Sequence, residues 1–183
     1  MPDKNILKEI DLYLADEEQT AALARQLAPM LCGVHPAFQG RSPGGRIHLK
    51  GELGAGKTSL VRALLRACGI TGKIKSPSYA LLETYKLSNL YFYHLDFYRL
   101  SDPKEWLDAG FRDILQKEAV ILIEWPEQAG NTLPIPDLEI RLDYAGNGRQ
   151  AHLTAYSDKG TSWLTSLELP PQESPRRGSP DDA

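Results

Sequence analysis

The feature that most constrains this chain is a glycine-rich octapeptide at residues 51–58, which reads Gly-Glu-Leu-Gly-Ala-Gly-Lys-Thr. It is a full match to the G-x-x-x-x-G-K-[ST] pattern, in which backbone N–H groups surround phosphate oxygens. Residues 46–50 before it alternate apolar and polar side chains as a short strand does. After it, apolar residues recur at helical spacing from Leu60 to Cys68. A strand, a glycine loop and a helix in this order predict a nucleoside triphosphate site.

The residue types of this loop fit the chemistry of a bound triphosphate. Gly51, Gly54 and Gly56 let the backbone curl around phosphate oxygens, and Lys57 reaches the β and γ phosphates. The hydroxyl of Thr58 is a ligand for Mg²⁺. The positive end of the helix dipole adds to the same anion site. The sequence therefore predicts a nucleoside triphosphate and Mg²⁺ as the cofactors.

Length and composition fit one compact domain, which we place at residues 1–169. The chain has 183 residues, 42% of them hydrophobic, which is enough to fill one α/β core. The net charge of −3 argues against a basic surface for nucleic acid, so DNA is not expected as a partner and any tRNA contact should run through a partner protein. No stretch has the apolar length of a membrane span or a signal peptide, so we expect a cytoplasmic protein without a membrane partner. We expect Cys32 and Cys68 to be isolated, reduced thiols.

The pattern of elements predicts an α/β fold of the P-loop NTPase type, with three layers, a mainly parallel central sheet and a C-terminal antiparallel hairpin. We expect a helix from Asp16 to about Leu31, with Gln19 completing a capping box. Residues 33–45 are predicted to form a long loop, and residues 170–183 a disordered tail. The other predicted elements are strands at 6–14, 79–85, 91–96 and 119–124, a helix at 106–115, and a hairpin of 138–142 with 151–156.

Two carboxylates are candidates to act beside the phosphate loop, where Mg²⁺ needs an oxygen ligand directly or through water. Glu124 ends an almost purely apolar strand, as the acid of a Walker-B motif does, and in an open parallel sheet that end lies beside the loop. Asp96 also closes a strand, and His94 projects from the same face two residues earlier. The acid that does not bind metal is a candidate to polarise water. For Asp96, position alone leaves a solvated charge without a catalytic role as an equal alternative.

Four motifs, in order, resemble those of the bacterial TsaE family. They are residues 51–58, residues 76–79, residues 94–100 and residues 123–127, and the similarity runs from the helix start at Asp16 to about residue 167. Members of that family are small ATPases that work with TsaD and TsaB in making the threonylcarbamoyl modification of the adenosine beside the anticodon, in tRNAs that read codons starting with A. The resemblance thus implies an ATPase that uses ATP and Mg²⁺ and has TsaD and TsaB as partners.

The resemblance also implies roles for individual residues. Lys57, Asp96 and Glu124 become the catalytic residues, with Asp96 needed for hydrolysis, and Thr58 and Glu124 become the Mg²⁺ ligands. The segment Ser76-Pro77-Ser78 becomes a switch-like loop near the γ phosphate. The nucleotide-binding residues that the resemblance implies are Glu17, Leu53, Gly54, Ala55, Gly56, Lys57, Thr58 and Ser59.

The sequence leaves the use of the nucleotide open. ATP hydrolysis could drive chemistry, or ATP could be an assembly signal that reorders residues 76–79. A small-molecule P-loop kinase is the alternative enzyme, and its lid would have to be the loop at 33–45. A scaffold that binds nucleotide without hydrolysis would keep the fold and leave Asp96 without a catalytic role. Because no arginine presents itself as an arginine finger, we predict slow hydrolysis alone and faster hydrolysis when partner proteins complete the site.

Overall fold

A twisted sheet organises the part of the chain that the computed structural model describes, residues 5–38 and 40–168. Within those residues the sheet has seven strands, in the spatial order β1-β7-β6-β2-β5-β4-β3. The central strands β6, β2, β5 and β4 are parallel neighbours, and β7, β1 and β3 add antiparallel edges. The strands are β1 Lys8–Leu14, β2 Gly45–Lys50, β3 Leu82–Leu87, β4 Leu90–Asp96, β5 Val120–Glu124, β6 Leu138–Ala145 and β7 Gly148–Ala155. The predicted α/β class, with a mainly parallel sheet and a C-terminal hairpin, is confirmed.

Helices cover both faces of the central strands. They are α1 Glu17–Leu31, α2 Lys57–Ala67, α3 Lys104–Asp108 and α4 Asp158–Thr165. The side chains of α1, α2 and α4 share one core with Leu122 of β5, whereas Trp106 of α3 shares a second core with Ile121 and Ile123. Alternate residues of one buried strand therefore serve opposite layers, as the two-residue period of a strand requires. Strands β1, β7 and β6 carry polar side chains on the face that points away from α1 and α2. On that face His152 pairs with Asp11 and Asp143.

The first helix begins and ends where the sequence predicts. The Asp16 side chain caps α1 by accepting a hydrogen bond from the Gln19 backbone N–H at 2.9 Å. The Gln19 side chain reaches back to the N–H of Ala15 at 3.4 Å, one residue before the position that a capping box predicts. The cap matters for the site because the first turn of α1 lies beside the phosphate loop.

Two element predictions need correction, and one helix was not predicted. The strand predicted at 79–85 is β3, Leu82–Leu87, because residues 79–81 form a turn that ends at Leu81 with φ +62°. The helix predicted at 106–115 is wrong in length: α3 stops at Asp108, and Gly110 follows with φ +77°, a conformation that ends helices. Helix α4 has no counterpart among the sequence predictions.

The segment 33–45 is partly structured and lies away from the phosphate loop. Pro36–Phe38 form a short 3₁₀ turn, and Gly45 already belongs to β2. The segment leads into the amino end of β2, whereas the phosphate loop follows its carboxyl end. The predicted disordered tail at 170–183 lies outside the described residues.

The two cysteines are free thiols but are not isolated from each other. Both line one cavity of about 480 Å³, and the Cys68 thiol lies 3.9 Å from the Ala28 carbonyl that also accepts the Cys32 backbone N–H. A hydrogen bond between the two thiols lowers the pKa of Cys32 and raises that of Cys68. Among the described residues, no helix combines the length and the apolar character needed to cross a membrane.

Candidate nucleotide site

The phosphate loop is a tight turn between the central strand and the second helix. β2 ends at Lys50 and α2 begins at Lys57, so residues 51–56 make the whole connection. Gly51 has φ +138°, and a Cβ there would lie 2.4 Å from the carbonyl oxygen of Leu142. Only glycine allows the loop to pass this close to strand β6.

Lys57 is buried across the mouth of this loop. The residue is 4% exposed, and its Nζ donates to the carbonyl oxygens of Gly51 at 2.6 Å and Glu52 at 2.8 Å. The same Nζ lies 4.1 Å from the centroid of the Trp125 ring. Burial lowers the pKa of Lys57, and the charge of Glu124 opposes that shift. The ammonium group is thus held by neutral acceptors and an aromatic face within the loop.

Strand register brings the two predicted carboxylates side by side. Asp96 and Glu124 are partners in the parallel pairing of β4 with β5, at the carboxyl end of both strands. The Thr58 hydroxyl lies 3.0 Å and 2.9 Å from the two carboxylate oxygens of Glu124. His94 Nε2 lies 2.8 Å from Glu124 Oε1, a distance at which the Nε2–H tautomer of the imidazole donates to the carboxylate. Glu124 is therefore oriented by a hydroxyl and an imidazole.

The oxygen atoms of Thr58 and Glu124 suit Mg²⁺. Within residues 5–38 and 40–168, no group of three or more His, Cys, Asp and Glu side chains could hold a metal by itself. Mg²⁺ often takes only one or two protein oxygens together with phosphate oxygens and water, at about 2.0–2.1 Å in octahedral geometry. Adjacent ligands of such an octahedron are about 2.9 Å apart. The Thr58 and Glu124 oxygens, 2.9 Å apart at their closest, fit that spacing.

Asp96 lies next to this pair and is held in one orientation. It is 6% exposed, and its Oδ1 accepts the backbone N–H of Tyr98 at 3.0 Å. Burial raises the pKa of Asp96, and the neighbouring Glu124 raises it further, while the Tyr98 N–H opposes the shift. A carboxylate with a raised pKa is a better proton acceptor than an exposed one.

These groups share one cleft of about 380 Å³ with the predicted switch segment. Ser76 and Ser78 line it, and their hydroxyls lie 2.8 Å apart. Pro77 fixes the turn behind them, since its carbonyl accepts the N–H of Leu81. The predicted site residues that line this cleft are Leu53, Gly54, Gly56, Lys57, Thr58, Ser59, Ser76, Ser78, Asp96 and Glu124.

Pro77 lines neither of the two clefts beside the loop, whereas Glu17 and Ala55 line the second cleft. It has a volume of about 540 Å³, and Ser59 lines both clefts. Arg62 and Arg149 also border the second cleft. The phosphate loop thus lies between a cleft that holds Thr58, Asp96 and Glu124 and a roomier cleft that holds Glu17 and two arginines.

Trp125 is a further residue that lines the cleft. The residue follows Glu124 directly, and it has φ +55°, which is unusual for a bulky side chain. Its ring faces Lys57 and lies 5.0 Å from the Tyr98 ring. Backbone conformations of this kind persist where surrounding contacts hold them, often at functional sites.

Tyr144 and Arg149 of the hairpin are the contacts that sequence reasoning missed. The Tyr144 hydroxyl donates to the Leu53 carbonyl at 2.8 Å, and Arg149 Nε donates to the Ala55 carbonyl at 2.9 Å. Both residues are far from the loop in sequence, so no local pattern could have indicated them.

Fold and site together define a class: an α/β protein that carries the G-x-x-x-x-G-K-[ST] loop at the carboxyl edge of a mainly parallel sheet, beside two strand-end carboxylates. The family model described as "Threonylcarbamoyl adenosine biosynthesis protein TsaE" matches residues 14–151 of this chain. That match covers well over half of the 183 residues.

Individual relatives agree with the family match. The "tRNA threonylcarbamoyladenosine biosynthesis protein TsaE" of Haemophilus influenzae is 32% identical over 161 residues, which cover 88% of this chain and 99% of that protein. The protein of the same name from Rickettsia conorii is 37% identical over 163 residues, covering 88% and 87%. The crystal structure of YdiB from Bacillus subtilis aligns with a TM-score of 0.69 at 25% identity, covering 88% of this chain and 95% of that one. The chain belongs to the TsaE family.

Proposed function

We propose that this protein is a Mg²⁺-dependent ATP-binding protein of the cytoplasm with weak ATPase activity. In this proposal it supports TsaD and TsaB in threonylcarbamoylation of the adenosine beside the anticodon, in tRNAs that read codons beginning with A. The observation that carries the proposal is the convergence of Lys57, Thr58, Asp96 and Glu124 in one cleft of about 380 Å³. Membership of the TsaE family supports the pathway, because its relatives are named for tRNA threonylcarbamoyladenosine biosynthesis.

Phosphate binding falls to the loop and to Lys57. The loop amides and the amino end of α2 present positive potential to the β and γ phosphates. Lys57 Nζ, now bonded to the Gly51 and Glu52 carbonyls, would bind phosphate oxygens, which are stronger partners because they are charged. Thr58 and Glu124 would hold the metal, and Mg²⁺ would supply positive charge against the phosphates.

Asp96 is assigned the role of orienting the attacking water. Both Glu124 oxygens are engaged by Thr58, and one of them also by His94, which suits a metal ligand rather than a mobile base. Asp96 stands beside Glu124 and has the raised pKa of a proton acceptor. This assignment makes Asp96 necessary for hydrolysis and leaves nucleotide binding largely to Lys57 and Thr58.

Two features of the cleft favour the binding of a partner protein that completes the site. Among the described residues that line it, Arg99 is the one arginine, and its guanidinium lies 4.5 Å over the Tyr79 ring. An arginine stacked in this way is not directed at a phosphate, so slow hydrolysis is expected from the protein alone. Leu53, Tyr79 and Tyr98 are 66%, 86% and 43% exposed near the mouth of the cleft. Exposed apolar and aromatic side chains of this kind favour a protein contact.

The kinase alternative loses support from the placement of its lid. The segment 33–45 leads into the amino end of β2, and Arg41 bonds there to the Ser162 hydroxyl on α4. A lid that covers bound phosphates would have to lie at the opposite edge of the sheet. The structure therefore favours the ATPase over the kinase.

Steady-state phosphate release from ATP tests the proposal. The protein is assayed alone and with TsaD and TsaB, beside Lys57→Ala and Asp96→Asn. We expect slow release alone, stimulation by the partners, and loss of stimulated release in both variants. Phosphate release that partners do not change, or transfer of the γ phosphate to a small acceptor molecule, would move the assignment to the kinase.

The same proteins can be used to test whether ATP is an energy source or an assembly signal. Binding to TsaD and TsaB is measured with Asp96→Asn, which is expected to bind ATP without hydrolysing it. Two results together would indicate that hydrolysis resets the assembly. The complex would form only with ATP and would still form with Asp96→Asn, and this variant would not sustain tRNA modification over many turnovers. Complex formation that is independent of nucleotide contradicts the assembly-signal version.

A further inference from the structure

Two side chains of the C-terminal hairpin, β6 and β7, donate hydrogen bonds to carbonyl oxygens of the phosphate loop. At the end of β6, the Tyr144 hydroxyl donates to the carbonyl of Leu53 at 2.8 Å. At the start of β7, Arg149 Nε donates to the carbonyl of Ala55 at 2.9 Å, and its Nη2 lies 3.4 Å from the carbonyl of Gly54. Three successive carbonyls of the loop thus face two side chains of the hairpin.

The hydrogen bonds that fix these carbonyl groups also fix the direction of the N–H groups in the same peptide units. A trans peptide unit is planar, so its C=O and the following N–H point in opposite directions. Fixing the carbonyl of Leu53 therefore fixes the N–H of Gly54, and fixing that of Ala55 fixes the N–H of Gly56. The N–H of Ala55, between them, donates to the Glu52 carbonyl at 3.1 Å within the loop. The N–H groups of Gly54 and Gly56 are turned away from the hairpin, as an anion-binding loop requires.

The two hairpin residues also stabilise each other. The Arg149 guanidinium lies 4.3 Å from the centroid of the Tyr144 ring, and its Nη1 donates to the Gly148 carbonyl at 2.8 Å. A Cβ on Gly54 would lie 2.8 Å from the Tyr144 hydroxyl, so a side chain at that position would displace the hydroxyl from its contact with the loop. Arginine suits this task because its rigid fork of donors can hold several carbonyls at once.

We propose that Tyr144 and Arg149 are positioning residues that preorganise the phosphate loop for a nucleoside triphosphate. The inference deepens the proposed function and rests on it, since it assigns to the hairpin the task of keeping the loop amides directed at the phosphates. Preorganised donors cost less to order on binding, so the hairpin contributes affinity without touching the phosphate groups.

Nucleotide affinity of matched variants is the first part of the test. Tyr144→Phe removes one hydroxyl from a residue that is 51% exposed, and Arg149→Met removes the donors while keeping an unbranched stem. We expect ATP with Mg²⁺ to bind about three- to tenfold more weakly to Tyr144→Phe, and about tenfold or more weakly to Arg149→Met. The double variant should lose less than the product of the two effects, because both residues hold one loop.

Arg141→Met is the control on the same hairpin. Arg141 forms an exposed ion pair with Asp143 on the polar face of the sheet, so its loss should leave nucleotide affinity unchanged. All variants should unfold at temperatures close to that of the wild type, which separates positioning from general damage to the fold.

Hydrogen exchange of the loop amides in the nucleotide-free protein is the second part. The N–H of Ala55 is protected by the turn that Tyr144 and Arg149 hold, so its exchange should be several-fold faster in Tyr144→Phe and unchanged in Arg141→Met. The exchange measurement needs no ligand. A wild type that fails to bind ATP would overturn the proposed function. The exchange rates would still show whether the hairpin orders the loop. Wild-type affinity in both Tyr144→Phe and Arg149→Met overturns the inference, with or without a change in exchange.

Discussion

Each buried polar side chain named in the cleft has a hydrogen-bond partner, and the partner determines what the residue can do. Glu124 is held by Thr58 and His94, Lys57 by two loop carbonyls, and Asp96 by a backbone N–H. Buried charges without such partners would be strongly unfavourable. The cleft is therefore organised by the fold itself, and individual substitutions should change distinct properties.

Asp96→Asn should stabilise the protein at neutral pH. Burial raises the pKa of Asp96 above its ordinary value of 3.8, so the folded state favours the protonated carboxyl. The corresponding stability is fully present below that value and is lost as the pH rises through the raised pKa. Asparagine is neutral throughout and still accepts the Tyr98 N–H.

Thermal unfolding between pH 4 and pH 7, without nucleotide, measures this effect. The melting temperature of Asp96→Asn should exceed that of the wild type at pH 7, and the difference should shrink towards pH 4. A lower melting temperature at pH 7, or a difference that does not change with pH, would contradict the raised pKa.

His94→Leu should increase the Mg²⁺ concentration needed for half-maximal hydrolysis by about tenfold, because residues that orient a metal ligand contribute affinity indirectly. His94 is fully buried and its Nε2 lies 2.8 Å from Glu124 Oε1. His94→Gln keeps a donor in reach of Glu124 and should restore most of the wild-type requirement. Titration of Mg²⁺ at fixed ATP provides the measurement, and an unchanged requirement in His94→Leu would remove this role.

At the scale of elements, the sequence was most informative where the side-chain pattern was strongest. The apolar run that ends at Glu124 predicted a buried parallel strand, and β5 is buried throughout. The helix predicted at 106–115 failed because the apolar spacing continued past Gly110, whose positive φ ends α3 early. Helix α4 is only eight residues long and packs mainly through Trp163 and Leu164, so its local pattern was too short to stand out.

The cap of α4 is expected to contribute measurably to stability. The Ser157 hydroxyl accepts the N–H of Gly160 at 3.0 Å and donates to Asp137 Oδ1 at 2.6 Å. Ser157→Ala should cost about 1–2 kcal/mol and lower the melting temperature by about 2–6 °C. Ser162→Ala, outside the cap of the same helix, loses only exposed hydrogen bonds with Arg41 and the Asp158 carbonyl and should cost less than about 0.5 kcal/mol. Equal effects of the two substitutions would contradict the cap.

At the scale of the whole molecule, the sheet brings distant segments to one edge. The loop, Asp96 and Glu124 lie in contiguous motifs and could be found from sequence, since each follows a recognisable strand. Tyr144 and Arg149 could not be found that way, because only the pairing of β6 with β2 places the hairpin against the loop. The placement of 33–45 at the opposite edge likewise depends on tertiary structure, and it counts against a role of this segment as a lid over the phosphate loop.

Under the proposed function, Tyr79→Ala should abolish much of the stimulation by TsaD and TsaB. Tyr79 is 86% exposed beside the cleft, so its loss should leave the fold intact. Removal of an exposed aromatic from an interface commonly costs more than 1 kcal/mol, which is about fivefold or more in affinity.

Tyr91→Ala is the matched control, since Tyr91 is 40% exposed at the amino end of β4, away from the cleft. Stimulation should survive in Tyr91→Ala. Loss of stimulation in both variants, or in neither, would exclude the rim around Tyr79 as the partner contact.

The most direct test of the central claim is calorimetric titration of ATP with Mg²⁺ into the wild type and into Lys57→Ala. We expect one site in the wild type, and binding at least about tenfold weaker in the variant, because a charged hydrogen bond to phosphate is lost. Omission of Mg²⁺ should also weaken binding to the wild type. A wild type that does not bind ATP, or a Lys57→Ala variant that binds it equally well, would contradict the account.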